Sequence, residues 1–300
     1  MPPGVVERIA PASQTPGTGR RPQSGPILGD KARGGGSAAA GNGMEAEEYA
    51  LMDAAEDRMW WYRALHAMVL RALARTPAPS GLPLLDAGCG TGGLLRRLAR
   101  AMAEGALPAR PLAGFDITEQ AILRARAKVP DAALLLASAN DLPFADATLG
   151  AVVSLDVLSH RAVDEPRALG ELRRALAPGG VLVLNMPAHQ WLFSAHDRRV
   201  HTRERYSRGL LRARLEAAGF RVVELLHWNS LLFPLMVVQR TLLSRAGGGE
   251  ATPQDRSDVA PFPPPIEAMF RAITAAERGL IALGLRFPVG GSILAVAVKP

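Results

Sequence analysis

The sequence predicts an α/β protein whose parallel sheet is covered by helices on both faces. Three observations lead there. Short, continuously apolar runs alternate along the chain with amphipathic helical patterns, as strands buried on both faces require. The first of these runs ends in the glycine-rich turn "DAGCGTGG", residues 86–93. Hydrophobic residues make up 48% of the 300, enough for one large domain with additions or two small ones.

Residues 1–43 are rich in Gly, Pro, Ser and Thr, lack hydrophobic periodicity and are expected to be disordered. They contain no apolar h-region, so no secretory signal is expected. From Glu45 to about Arg75 apolar residues recur at helical spacing, which predicts one helix ended by "TPAPSG". "LPLLDAG" then reads as a strand, "GGLLRRLARAMAEG" as a helix and "LAGFDI" as a strand. "TEQAILRARAKV" is a helix that Thr118 can cap. "AALLLASA" and "LGAVVSLDV" are strands, "EPRALGELRRAL" is a helix stopped by "APGG", and "VLVLNMP" is the fifth strand. After a polar stretch come the helix "SRGLLRARLEAAGF", closed by Gly219, and the strand "RVVELLHW". "LLFPLMVVQRTLL" reads as a short or kinked helix because of Pro234, and a Pro-rich loop follows. A second helix runs from about Ile266 to Leu285, with Ile266, Met269, Phe270, Ile273, Leu280, Ile281 and Leu285 as its apolar positions. "GGSILAVAVKP" is the final strand.

The net charge is +7, of which residues 1–43 contribute +3. The arginines are scattered among alanines rather than clustered, so no nucleic-acid partner is expected. No run of eighteen apolar residues occurs, which argues against a membrane-spanning helix. The single cysteine, Cys89, excludes an intramolecular disulfide, and a cytoplasmic chain is expected.

The glycine turn fits two cofactor fingerprints. Gly88, Gly90 and Gly93 match the G-x-G-x-x-G of dinucleotide-binding sheets. Asp86, Gly88, Gly90 and Gly92 match the D-x-G-x-G-x-G loop that grips S-adenosylmethionine. Both readings need a glycine turn that brings backbone N–H groups close to the ligand. Asp86 separates them. A carboxylate at the strand end repels a pyrophosphate but attracts the sulfonium and ammonium groups of S-adenosylmethionine. Asp116 in "GFDIT", 24 positions after Gly92, sits where a strand-end carboxylate can accept from both ribose hydroxyls.

In these segments, with "ANDLPFADATLGAVVSLDVLSH" and "ELRRALAPGGVLVLNMP", the chain resembles the class I S-adenosylmethionine-dependent methyltransferases in their small-molecule (type 11) branch. The resemblance covers about residues 45–229 and the last strand. It implies a Rossmann-like, doubly wound, mostly parallel sheet of seven strands, with the last strand antiparallel and a helical insertion before it. It also implies methyl transfer from S-adenosyl-L-methionine to a small molecule. The domains would then be the extension 1–43, a methyltransferase domain 44–230 opening with a helical lid, an insertion or cap 231–286, and the last strand 287–300. The resemblance assigns Asp86 and Gly88 to the methionine side of the cofactor and Asp116 to the ribose, with Gly90, Gly92 and Ile117 also at the cofactor. Ser138, Ala139 and Asn140 lie along the adenine, Ala139 offering its backbone N–H and Asn140 or Asp141 the nearby polar group. Asp156 and His160 lie near the fourth strand's end, beside the transferring methyl. Ser159 stands where many relatives carry Glu.

The polar segment "PAHQWLFSAHDRRVHTRERY" crowds His189, His196, Asp197, His201, Arg203, Arg205 and Tyr206 together beyond the fifth strand, where ligands of open parallel sheets bind. His196 with Asp197 can supply a base, and Arg203 or Arg205 can clamp an anionic acceptor, with Tyr206 beside them. A solvated loop with capping histidines is the other reading. The histidine spacing matches no standard zinc pattern, so no metal is expected. Trp61 and Tyr62, with Trp60, are either core packing or walls of an acceptor pocket. Residues 231–285 either pack on the sheet or on a second copy of the chain, or form a greasy cap for a lipid-like acceptor. In the latter case they make a peripheral membrane contact flanked by Arg240 and Arg245. The rival functions are an NAD-linked oxidoreductase, which Asp86 disfavours, and a cofactor-binding scaffold without turnover. A base-modifying methyltransferase is disfavoured because "SLDV" replaces an "NPPY"-type tetrad.

Overall fold

Continuous apolar runs form a seven-stranded sheet in this computed structural model, which describes residues 46–246 and 262–300. The strands are β1 (Leu84–Ala87), β2 (Leu112–Asp116), β3 (Ala133–Leu136), β4 (Leu149–Leu155), β5 (Leu176–Pro187), β6 (Arg221–Trp228) and β7 (Ser292–Val298). Their order is β3-β2-β1-β4-β5-β7-β6, with β7 antiparallel to both neighbours and the pairs among β1–β5 parallel. This is the Rossmann-like sheet with an antiparallel last strand that the sequence resemblance implies. The expected disorder of residues 1–43 and most of the Pro-rich loop after 246 fall outside the described residues.

Strand alternation builds a core on each side of the sheet. Val152, Leu182, Leu184, Ile293 and Ala295 face α5 (Glu165–Ala175) and α7 (Arg208–Ala217), where Leu169, Leu172, Leu211 and Leu215 are buried. Ala151, Val153, Val183, Leu294 and Val296 face α2 (Trp60–Arg75), α3 (Gly93–Ala103) and α9 (Pro264–Ala282). Cys89, Leu95, Ile122, Ala125 and Leu134 form a third cluster joining α3 to α4 (Glu119–Lys128).

The helix expected from Glu45 to Arg75 is two helices, α1 (Ala46–Ala55) and α2. Four residues separate them because Glu56 turns inward: its carboxylate accepts from Thr91 Oγ1 at 2.7 Å and from the Gly93 amide at 3.1 Å. Lys128 of α4 pairs with both Glu56 and Asp53, and Arg124 with Asp53 at 2.9 Å, so α1 is tied to α4. Met59 then takes extended angles as the N-cap of α2. Another difference is Thr118, which stands at the N-cap of α4 without a side-chain cap; its hydroxyl accepts instead from Tyr49 at 3.1 Å. Pro234 neither shortens nor kinks α8 (Phe233–Ala246), because it falls in the first turn, where no intrahelical N–H is needed.

The buried face of α9 also differs from the expected apolar set. Glu267, Phe270, Thr274, Glu277 and Ile281 point inward. The two acids are buried because each caps backbone elsewhere. Glu267 accepts from the Trp60 amide at 2.8 Å, closing the N-terminus of α2. Glu277 accepts from the amides of Ser230 and Leu231 at 2.8 and 3.0 Å, fixing the turn after β6. Ile266, Met269, Leu280 and Leu283 are left on the outer surface, Met269 at 50% exposure and Leu283 at 87%.

Replacing Glu277 by Ala strands two amides and should lower unfolding stability by about 1–3 kcal/mol. Leu283→Ala, on the open face, should change it by no more than ~0.5 kcal/mol. Denaturant unfolding of the two variants checks the contrast.

Candidate cofactor and acceptor site

The turn between β1 and α3 is held in a shape open to glycine. Gly88, Gly90 and Gly92 have φ of 84°, 51° and 89°, the left-handed region that side chains disfavour. A Cβ on Gly88 would lie 2.3 Å from Val157 Cγ2, and one on Gly92 would lie 2.9 Å from the Ala125 backbone. The turn is thus pressed between the end of β4 and α4. The amides of Gly88 and Cys89 both donate to the Phe115 carbonyl, at 2.9 and 2.8 Å, which locks the turn to β2.

Two carboxylates flank it. Asp86, 2% exposed, is the penultimate residue of β1, with Oδ2 lacking a hydrogen-bond partner. Burial, with Glu56 and Asp116 nearby, pushes its pKa up to about 8. Asp116 ends β2. Its oxygens accept from the Gly90 amide at 3.0 Å, the Thr118 amide at 3.0 Å and the Tyr49 hydroxyl at 3.2 Å. Burial raises its pKa, against those hydrogen bonds. Ile117 beside it is exposed. A buried carboxylate with an unmet oxygen, next to further acids, suits a cationic ligand and opposes an anionic one. These residues therefore fit the ammonium and ribose of S-adenosylmethionine.

Ser138, Ala139 and Asn140 follow β3 at the same edge. The Asn140 amide N–H donates to Ser138 Oγ at 3.2 Å. The Asn140 carboxamide is committed elsewhere: Nδ2 donates to the Ala162 carbonyl at 3.0 Å and Oδ1 accepts from the Asp164 amide at 2.9 Å. That side chain braces a neighbouring loop, so a ring laid along this segment would meet Ala139 and the backbone instead.

Asp156 follows β4 with φ 59°. Both of its carboxylate oxygens accept from Asn185 Nδ2, at 3.1 and 2.9 Å, while Trp228 Nε1 donates to Asn185 Oδ1 at 2.8 Å. Burial raises its pKa to about 7, with Asn185 opposing. Trp61 lies against Trp228 with centroids 6.0 Å apart and meets Tyr62 edge-on at 5.1 Å. The start of α2 is thereby in contact with Trp228 at the end of β6. His160 Nδ1 accepts from the Ala162 amide at 3.2 Å, so the neutral ring carries its proton on Nε2 and acts as a donor.

The segment after β5 corrects several expectations. Asp197, in the short helix α6 (Ala195–Arg199), closes a capping box with Ser194 and accepts from Arg205 Nε at 2.8 Å and Arg240 at 3.0 Å. Burial alone would raise its pKa, but the two arginines hold it below the usual range. It is committed to an ion cluster and is a poor base for a dyad with His196. Arg205, equally buried, also donates to the Ala188 carbonyl at 3.1 Å. Arg203 donates to the Val163 carbonyl at 2.8 Å and to Glu165 at 2.9 Å, and Tyr206 donates to the same carboxylate at 3.0 Å beneath Arg214. These side chains brace the segment against α5 and α7, so an acceptor clamp is not their arrangement.

Sequence reasoning left four participants at this edge without a role: Tyr49, Glu56, Asn185 and His227. Tyr49 and Glu56 touch residues 67 and 37 positions away, distances that no local pattern encodes. The stacking of His227 on His189, centroids 5.1 Å apart, is likewise a product of topology.

Residues 85–184 match a protein-family profile described as "Methyltransferase domain". A Mycobacterium tuberculosis protein named "Probable S-adenosylmethionine-dependent methyltransferase" is 29% identical over 248 residues, which span 80% of this chain and 84% of that one. Among solved structures, a chain from the complex between the Haloferax volcanii Trm112 methyltransferase activator and a methyltransferase superposes with TM-score 0.54 at 24% identity, covering 85% of this chain and 95% of that one. The cyclase SpnF superposes with TM-score 0.55 at 19% identity, covering 87% and 99%. The two structures share the fold alone.

The state of Asp86 yields a pH dependence. Below about pH 8 the ligand-free carboxyl is protonated, while a cationic partner favours the ionised form. Cofactor binding should release a proton, and affinity should fall as pH drops below 8, by up to about tenfold per unit. Calorimetric titration in buffers of different ionisation enthalpy measures both effects. Asp86→Asn should weaken binding at least about tenfold yet raise the melting temperature of the ligand-free protein at pH 8, because it removes a charge whose burial costs most at high pH.

Proposed function

We propose that this chain, a class I S-adenosylmethionine-dependent methyltransferase, methylates a small, apolar, lipid-like acceptor and works against a membrane surface. The observation that carries this finer reading is the outer face of α9. Ile266, Met269 and Leu280 recur there at helical spacing, Leu283 follows just past the helix end, and all are exposed, as are Leu231, Leu235 and Val238 at and before α8. A soluble protein scatters exposed apolar residues singly; several on one helix face mark a contact. With a net charge of +7, an anionic bilayer is the complementary surface. No helix among the described residues is long and apolar enough to cross a membrane, so the contact would be peripheral.

Bound S-adenosylmethionine supplies a methyl group on a cationic sulfur that becomes a neutral leaving group. This chain's contribution is then positioning and electrostatics. Asp86 would hold the ammonium, Gly88, Gly90 and Gly92 would let the backbone come close, and Asp116 would accept from the ribose. Ile117 and Ala139 would flank the adenine. Asp156, oriented by Asn185 and through it by Trp228, would face the transferring methyl from the end of β4. Trp61 and Tyr62 would wall the acceptor side. The ligand-free contact between Tyr49 and Asp116 would have to yield or be shared when the ribose binds, which gives α1 the character of a lid.

Two measurements test this. Asp116→Ala should weaken S-adenosylhomocysteine binding at least about tenfold, since one residue loses a set of hydrogen bonds to charge; unchanged affinity would remove Asp116 from the site. The chain should co-sediment with phosphatidylglycerol-rich vesicles, and Met269→Glu with Leu280→Glu should release it. Should the wild type instead stay off vesicles and sediment as a dimer that the same pair breaks, α9 is a subunit contact and the membrane reading falls.

A further inference from the structure

The end of β6 and the turn that follows it contain buried polar atoms without a partner. His227, Asn229 and Ser230 are each more than nine-tenths buried. His227 Nδ1, Asn229 Oδ1 and Ser230 Oγ have no hydrogen-bond partner, and neither has His189 Nε2 from the segment after β5. Leaving such atoms unmet costs about 1–3 kcal/mol each. The two histidine rings are in contact and Asn229 and Ser230 follow His227 closely in the chain, so a ligand that meets them is favoured. Holding the turn does not explain them. Its backbone is already fixed by Glu277 on the Ser230 and Leu231 amides and by the Gly291 amide donating to the Asn229 carbonyl at 3.2 Å.

The chemistry of the four atoms is specific. His189 hydrogen-bonds the Gly290 backbone and His227 the Ser292 backbone, in each case favouring the protonated ring. A ring that donates to a carbonyl through one nitrogen presents the other as a lone pair. The unmet nitrogens, Nε2 of His189 and Nδ1 of His227, are therefore acceptors. The rings stack at 5.1 Å and 9°. Asn229 Oδ1 accepts as well, and Ser230 Oγ can do either. Both imidazoles stay neutral at physiological pH. Burial, then His189 and the nearby Arg208, lower His227 to about 4. Burial and then Arg205, against the Gly290 bond, lower His189.

Apolar surface adjoins this acceptor cluster. The His189 ring lies 5.2 Å from Phe233 and 5.8 Å from Trp191, which is 61% exposed. The β5 and β6 ends that carry the two histidines share the sheet edge with Asp156, because β6 runs parallel to β4 and β5.

We propose that His189, His227, Asn229 and Ser230 form the head-group site of the methyl acceptor, and that it takes a hydrogen-bond-donating group, a hydroxyl or an amine, at the end of an apolar body. The apolar body rests on the function proposed above; the donor head rests on these four atoms alone. A carboxylate or an ether, having no hydrogen to give, is refused. His189 holds φ 64°, a costly backbone for a non-glycine residue, which is in keeping with a side chain aimed for binding.

The test follows the imidazole nitrogens by NMR in the 15N-histidine-labelled full chain, saturated with S-adenosylhomocysteine. The probes are 1-butanol, 1-decanol, decylamine, decanoate and the methyl ethers of both alcohols. The expected result is that both alcohols, or decylamine, move His189 Nε2 and His227 Nδ1, with each alcohol binding on the order of tenfold more tightly than its ether. The alcohol and amine arms tell which donor is preferred. If butanol moves the signals and decanol does not, the head-group site stands and the lipid-like reading fails. If decanol and its ether bind alike, or decanoate is preferred, the apolar reading stands and the head-group site is overturned. If no probe moves the two nitrogens, it is overturned as well. Because the readout is on the wild-type chain, it does not depend on a histidine variant folding; His189→Asn, which tolerates the left-handed backbone, should erase the alcohol preference without changing S-adenosylhomocysteine affinity.

Discussion

Three carboxylates, Asp86, Asp116 and Glu56, converge on one glycine turn, and the rest of the site is arranged around the cost of burying them. Each answers that cost differently. Glu56 is satisfied by Thr91, the Gly93 amide and Lys128. Asp116 is satisfied by two amides and Tyr49. Asp86 is left with an unmet oxygen and so is the group that a cation would complete. The glycines are required because this packing leaves no room for side chains between the turn, Val157 and Ala125.

A second set of buried acids does structural work on the far side of the edge. Glu267 and Glu277 lie ten positions apart on one face of α9 and reach backward to cap α2 and the turn after β6. Through them the helices beyond β6 hold both the Trp61–Trp228 contact and the histidine-bearing turn. Burying charge on α9 has a corollary: Phe270 and Ile281 share the inner face with the two acids, and Ile266, Met269 and Leu280 are left facing outward.

The fold was legible because it is written in local periodicity. Apolar runs such as "LGAVVSL" and "VLVLN" can only be strands buried on both faces, and the helices between them set the sheet parallel. Asp86 and Asp116 were legible for a related reason, since strand-end acids at fixed offsets from a glycine turn carry their own geometry. Beyond such offsets the reading failed. His196–Asp197 looks like a catalytic dyad in sequence, yet Ser194 three residues earlier makes Asp197 a helix cap, a signal available in "SAHD". Arg203 and Arg205 look like an anion clamp, but their partners Glu165 and Asp197 lie on other elements. Helix α9 was misjudged because apolar spacing says which residues share a face, and cannot say that two glutamates on another face will find amides to cap.

The contact between Glu56 and the Gly93 amide reaches further than the joint between α1 and α2. The first amide of α3 points at the spot where dinucleotide enzymes seat a pyrophosphate. Here Glu56, from the joint between α1 and α2, already accepts from it. An internal carboxylate thus occupies the helix end that elsewhere recruits phosphate, and the same contact fastens the joint between α1 and α2 to the start of α3.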